Sequence, residues 1–151
     1  MNEDRVALSK ALVGTWMLVA REDRTREGRL HPDPGLGSDP VAILIYDGAG
    51  NFAAQFMKRD RSAAAPAPVQ SEAPNNSRAQ GGYDAYFGTY TVDDRQGTVT
   101  QRLTGALSQE NVGQTLTRAM TVAGDELTIQ LETLASTGEP VTRTLRWKRV
   151  G

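Results

Sequence analysis

Across the second half of the chain, apolar and polar side chains alternate at every second residue, the period of a strand with one buried face. Leu127, Ile129 and Leu131 stand against Thr128, Gln130 and Glu132, which leaves the inward face there unambiguous. The same test turns Leu116, Arg118, Met120 and Val122 inward, with Val99, Gln101 and Leu103 on the strand before and Val141, Arg143, Leu145 and Trp147 on the last. Strands are therefore predicted over 98–107, 115–122, 126–132 and 141–150, separated by SQENVG, AGDE and ASTGEP. A strand over 85–92 precedes them across a DDRQG turn, with Tyr86, Gly88, Tyr90 and Val92 inward although the large Phe87 sits on the other face.

The first half carries the signal less cleanly. VAILIY (41–46) and NFAAQFM (51–57) read as a hairpin around DGAG, whose glycines suit positive φ. Phe52, Ala54 and Phe56 are assigned inward, with Gln55 and Met57 the alternative set. LVGTWMLVA (12–20) reads as the first strand, Gly14, Trp16, Leu18 and Ala20 on one face and Val13, Thr15, Met17 and Val19 on the other. Gly14 leaves room for the Trp16 ring to lie across the narrow end of a closed sheet as a plug. A short apolar helix over 6–12 leads into it. Residues 21–40 are charged and then turn-rich, with room for one short strand over 28–31. Gly35, Leu36 and Gly37 read as a turn, because a phosphate loop would follow a strand and open a helix. Residues 61–76, rich in Pro and Ala, read as a flexible loop inside the domain, either a lid over the barrel mouth or a solvated insertion. Ser77 can cap a short helix over 78–82. Eight or nine strands on short turns, with no helix between them, predict an all-β fold. It is a closed up-and-down antiparallel barrel with a short N-terminal helix, a single domain over 1–151.

The spacing of Gly14 and Trp16 behind a lead-in helix resembles the signature of the lipocalin superfamily, whose barrels are also called calycins. The stretch DPVAILIYDGAGNFAAQFMKRDR is similar to a recurrent segment of the bacterial lipocalin-like domain family. Asp39, Pro40, Leu44, Tyr46, Gly50, Gln55 and Met57 fall on its frequent positions, while Ala42 replaces a usual glycine and Lys58 a usual arginine. AYFGTYTVDDRQGTV resembles the same family further on, so the resemblance covers nearly the whole chain. It implies a small intracellular, lipocalin-like barrel. In such barrels an arginine late in the chain packs over the plug tryptophan; Arg149 and Arg146 are the candidates, with a structural role. Family members often carry paired histidines where this chain has Gln101 and Arg102, a departure that removes an acid/base imidazole and weakens a catalytic role carried over from relatives.

Composition narrows the function classes. A chain of 151 residues with net charge −1 carries no electrostatic footprint for nucleic acid or for an anionic membrane surface. It has no cysteine, and MNEDRVALSK is charged where a signal peptide needs an apolar run, so a cytoplasmic protein is expected. The only histidine, His31, reads as a solvated loop residue, and neither a metal site nor a cofactor is expected. Asp93 and Asp94 read as a hairpin turn pair.

The chemistry lies in the inward set. Arg118 and Arg143 point where the apolar residues point, and a guanidinium in an apolar lumen needs a carboxylate, ordered water or an anionic ligand. Glu22, in the register of the first strand, and Asp84, in that of Tyr86, are the internal candidates. Tyr86, Tyr90 and Gln101 add hydroxyls and an amide, and Leu18, Phe56, Leu116 and Leu131 supply apolar wall. Three readings stay open. The barrel holds a small amphipathic molecule, anionic or bearing a carbonyl or enol. It is a cofactor-independent isomerase or cyclase of natural-product biosynthesis, with Tyr90 and Arg118 polarising a carbonyl. Or it is a filled barrel, monomer or homodimer, that acts through its surface.

Overall fold

The computed structural model describes residues 6–31, 35–37, 39–60, 79–135 and 137–151. A one-turn helix, α1 (Leu8–Ala11), leads into eight strands: β1 (Gly14–Thr25), β2 (Val41–Tyr46), β3 (Asn51–Met57), β4 (Tyr83–Asp93), β5 (Thr98–Ala106), β6 (Thr115–Ala123), β7 (Glu126–Leu134) and β8 (Pro140–Arg149). Each strand pairs antiparallel with the next and β8 returns to β1, closing the barrel in chain order. The expected fold class is therefore the observed one. Alternation produces it: Leu127, Ile129 and Leu131 on β7 are buried, as are Leu116, Arg118 and Met120 on β6 and Phe52, Ala54 and Phe56 on β3.

Local expectations differ in four places. The strand foreseen over 28–31 shrinks to a single bridge between Arg24 and Leu30, so eight strands close the barrel. The helix foreseen over 6–12 keeps only its middle turn, and the first strand begins at Gly14 and runs to Thr25 instead of ending at Ala20. Of the helix foreseen over 78–82, the described residues form a bridge from Gln80 to Tyr83 around Gly81 and Gly82, both at positive φ, which a right-handed helix does not admit. Ser77, Arg78 and the whole 61–76 stretch lie outside the described residues. Gly35, Leu36 and Gly37 do form a turn, and Leu36 tucks into the core from it.

The largest difference is a phase inversion in β1. Its pairing with β8 shifts between Leu18 and Ala20, a bulge that leaves Val19 59% exposed and swaps the two faces. Before it Trp16 points inward; after it Arg21, Asp23 and Thr25 do, and Glu22 turns out to pair with Arg24 at 2.7 Å. A second shift lies between Phe87 and Gly88, where the β5 partner passes from Gly105 to Leu103. Both glycines there are enforced by close approach: a Cβ on Gly88 would stand 1.9 Å from the Arg102 carbonyl oxygen, and one on Gly105 would stand 2.4 Å from the Phe87 ring. That outward ring covers the bare backbone of its neighbour.

Candidate functional site

One end of the barrel is shut. Trp16 is fully buried and its indole Nε1 donates to the Leu12 carbonyl oxygen at 2.9 Å. The Arg149 guanidinium carbon lies 4.3 Å above the Trp16 ring centroid, while Nη1 donates to Val13 O at 2.9 Å and Nη2 to Ala11 O at 2.6 Å. One side chain thus covers the plug and satisfies carbonyls that a helix end leaves open. Arg146, the other candidate, faces solvent. Gly14, at φ +145°, makes room for this arginine rather than for the tryptophan: a Cβ there would stand 2.6 Å from Arg149 Nη1 and 2.7 Å from Gly151 O. Asp94, expected as a plain turn residue, docks α1. Its carboxylate accepts from Ser9 N and Ser9 Oγ, both at 2.8 Å, replacing the cap that Ala7 cannot supply. Asp93 does hold the turn, accepting from the backbone N–H groups of Arg95 and Gln96.

The polar centre of the lumen is built from β2, β4, β5 and β6. Gln101 Nε2 donates to the Tyr46 hydroxyl at 2.6 Å, and that hydroxyl donates to Met120 Sδ at 3.9 Å. Since β2 and β6 face each other across the barrel, the Tyr46–Met120 contact crosses its interior, and Arg118 lies one inward position from Met120, toward the end opposite the plug. Arg118 is 6% exposed, and Nη1 donates to the Thr117 carbonyl oxygen at 3.3 Å. Burial pulls its affinity for the proton below the ordinary arginine value, the Arg143 charge adds to that, and the Tyr86 and Tyr46 hydroxyls oppose it. Burial, above all, pushes the Tyr46 hydroxyl well above the usual phenol range.

Towards the end opposite the plug, Arg143 meets Asp23, through Nε to Oδ1 at 2.9 Å and Nη2 to Oδ2 at 3.1 Å. Arg21 Nε lies 3.8 Å from the same Oδ1. The expected carboxylate for Arg143 was Glu22 or Asp84. The bulge substitutes Asp23 for Glu22, and Asp84 is buried on the inward face of β4. Of the other residues singled out from the sequence, Phe56, Tyr86, Gln101, Leu116 and Leu131 are buried inside the barrel and Leu18 packs against that core. Tyr90 departs from its expected place. Its ring lies edge-on to Tyr46 with centroids 4.8 Å apart, but its hydroxyl donates to the Asp47 carbonyl oxygen at 2.5 Å, at the hairpin turn and away from Arg118.

Tyr46 escaped the sequence reading as a lumen residue, as did Arg21 and Asp23 beyond the bulge. Tyr46 sits in VAILIY, which is apolar on both faces and so gives no phase; its pairing with Phe52 across the DGAG hairpin was the available signal. Trp147 was legible as inward, but not that its Nε1 is buried with no hydrogen-bond partner among the described residues. His31, expected as a solvated loop residue, is instead largely covered, its side chain 19% exposed, with Nε2 3.7 Å from Glu139 and 3.4 Å from the Thr137 hydroxyl. Among the described residues no group of three His, Cys, Asp or Glu is placed to hold a metal, and no helix is long and apolar enough to cross a membrane.

A closed eight-stranded meander, plugged at one end by a tryptophan under an arginine, defines a small lipocalin-type barrel. The chain belongs to the lipocalin-like domain family, whose family model matches residues 13–150. No curated protein matches the chain. A barrel of this family is compatible with holding a small ligand.

Proposed function

We propose that the barrel holds a small amphipathic molecule whose anionic, carbonyl or enol end lies against Arg118, with the Tyr86 hydroxyl and the Gln101 amide beside it. The observation that carries this reading is a guanidinium 6% exposed on an inward face otherwise made of Leu116, Met120 and Val122. A guanidinium carries five donors, so beyond its contacts within the barrel it can bind an anion brought to that face. A charge-assisted contact from Arg118 to a carboxylate or enolate would be among the stronger hydrogen bonds available in such a lumen.

A second reading, an isomerase or cyclase, is favoured by the Tyr46 hydroxyl. Its proton rests on a thioether sulfur, a weak acceptor, so it is readily redirected to a substrate carbonyl. In that reading Tyr46 takes the polarising role beside Arg118, since the Tyr90 hydroxyl is committed to the hairpin turn. The test is calorimetric titration of wild type and Arg118→Gln with decanoate and 2-naphthoate, alongside their methyl esters. Binding of the anions about tenfold weaker in Arg118→Gln, with the esters unaffected, supports the reading. Equal affinity of both proteins for every anion refutes it.

A further inference from the structure

The wall of the lumen carries information about the shape of its occupant. Five rings from four strands form a continuous row, Tyr46 to Phe52 to Tyr86 to Phe56 to Trp147, with successive centroids 6.0, 6.0, 6.1 and 5.9 Å apart. Alternate steps are stacked, at 27° and 28°, and edge-on, at 62° and 72°, which are the arrangements that aromatic quadrupoles prefer. At its Tyr46 end the hydroxyl reaches Met120 on β6, and Arg118 lies one inward position from Met120 on that strand. At its other end the Trp147 indole N–H is sealed from solvent, the side chain 1% exposed, and has no acceptor among the described residues. A buried donor without a partner is uncommon in a finished interior and points to a group that arrives from outside. The plug tryptophan shows the contrast, since its N–H is satisfied by Leu12 O.

We propose that the occupant is a planar conjugated anion with acceptors at both ends. It is an aryl carboxylate, enolate or phenolate that lies along the aromatic row with its negative group on Arg118 and its far acceptor on Trp147 Nε1. This rests on the reading of the lumen as a ligand site and adds to it the class of ligand. Aliphatic chains fill an apolar hollow, but they gain nothing from ring faces and present no second acceptor.

The experiment compares decanoate, 2-naphthoate and 6-hydroxy-2-naphthoate on the full-length wild-type protein, by calorimetry and by the two indole N–H resonances. The two arenes bind about tenfold tighter than decanoate. On adding 6-hydroxy-2-naphthoate the Trp147 N–H resonance moves downfield while that of Trp16 stays in place. Decanoate binding as tightly as the arenes overturns the ligand class and leaves the ligand site standing. A Trp147 resonance unmoved by the saturating hydroxynaphthoate overturns the second contact. Failure of all three to bind overturns the class and the underlying reading together. Trp147→Phe keeps the ring and deletes the donor; it loses about tenfold for 6-hydroxy-2-naphthoate and less than about threefold for 2-naphthoate, and equal losses contradict the role of the N–H.

Discussion

Asp23→Asn removes a carboxylate that Arg143 and Arg21 both approach inside the barrel. Asp23 holds Arg143 through two bonds of 2.9 and 3.1 Å, and Arg21 Nε stands 3.8 Å away. Taking one partner from a buried ion pair costs roughly 3–5 kcal/mol, chiefly for the charge left behind. The Arg143 side chain keeps 12% of its exposure, and Asn retains one acceptor oxygen. The expected loss is therefore at the low end, about 3 kcal/mol. For a chain of this length that lowers Tm by roughly 6–12 °C. Glu22→Gln is the control, because Glu22 and Arg24 are 42% and 46% exposed in their side chains and pair on the outer surface. Its Tm stays within about 2 °C of wild type. Thermal and urea unfolding at neutral pH, followed by circular dichroism, reads both. A neutral Asp23→Asn, or a Glu22→Gln that costs as much, would show that β1 keeps one phase throughout and that the bulge at Val19 is misplaced.

Three further outcomes follow from the plug end and its turns. Gly14→Ala drives a Cβ into Arg149 Nη1 and Gly151 O at a backbone φ of +145°, so it destabilises by roughly 2–4 kcal/mol; urea unfolding with a midpoint equal to wild type would contradict this. Asp94→Ala releases α1 from the hairpin turn, and hydrogen exchange at Lys10, Ala11 and Leu12 then accelerates at least about fivefold while β6 and β7 are unchanged. Asp47 accepts from the backbone of Asn51 at 2.8 Å and of Ala49 at 2.9 Å, and these bonds hold its carboxyl below the ordinary 3.8. Its folded pKa is thus lower than the unfolded one, so its contribution is complete above 3.8 and fades as pH falls through the lowered value; a carboxyl carbon titration with its midpoint at or above 3.8 would contradict this.

Much of the barrel was legible because β5 to β8 have one wet and one dry face, and alternation then fixes both element and phase. Arg118 was found in this way, as a charge where the pattern demands an apolar residue. Arg149 over Trp16 came from resemblance, and its contacts with Ala11 and Val13 required coordinates. What escaped shares a cause. A bulge adds one residue to a strand without leaving a mark in the pattern, and in VAREDRT either phase buries a charge, so Asp23 and Glu22 were indistinguishable. VAILIY has no polar face at all, so Tyr46 had no phase of its own. Long-range satisfaction is invisible to periodicity in the same way: Asp94 finds Ser9 across 85 residues, and Trp147 Nε1 finds no acceptor among the described residues.

Binding of an anion at the buried arginines is read at their side-chain Nε–H resonances. Titrated with 2-naphthoate, Arg118 shifts and saturates along a single-site curve, and the Arg59 signal from its exposed pair with Asp39 does not move. A saturable shift confined to Arg59 and other surface arginines, with Arg118 silent, would contradict the account.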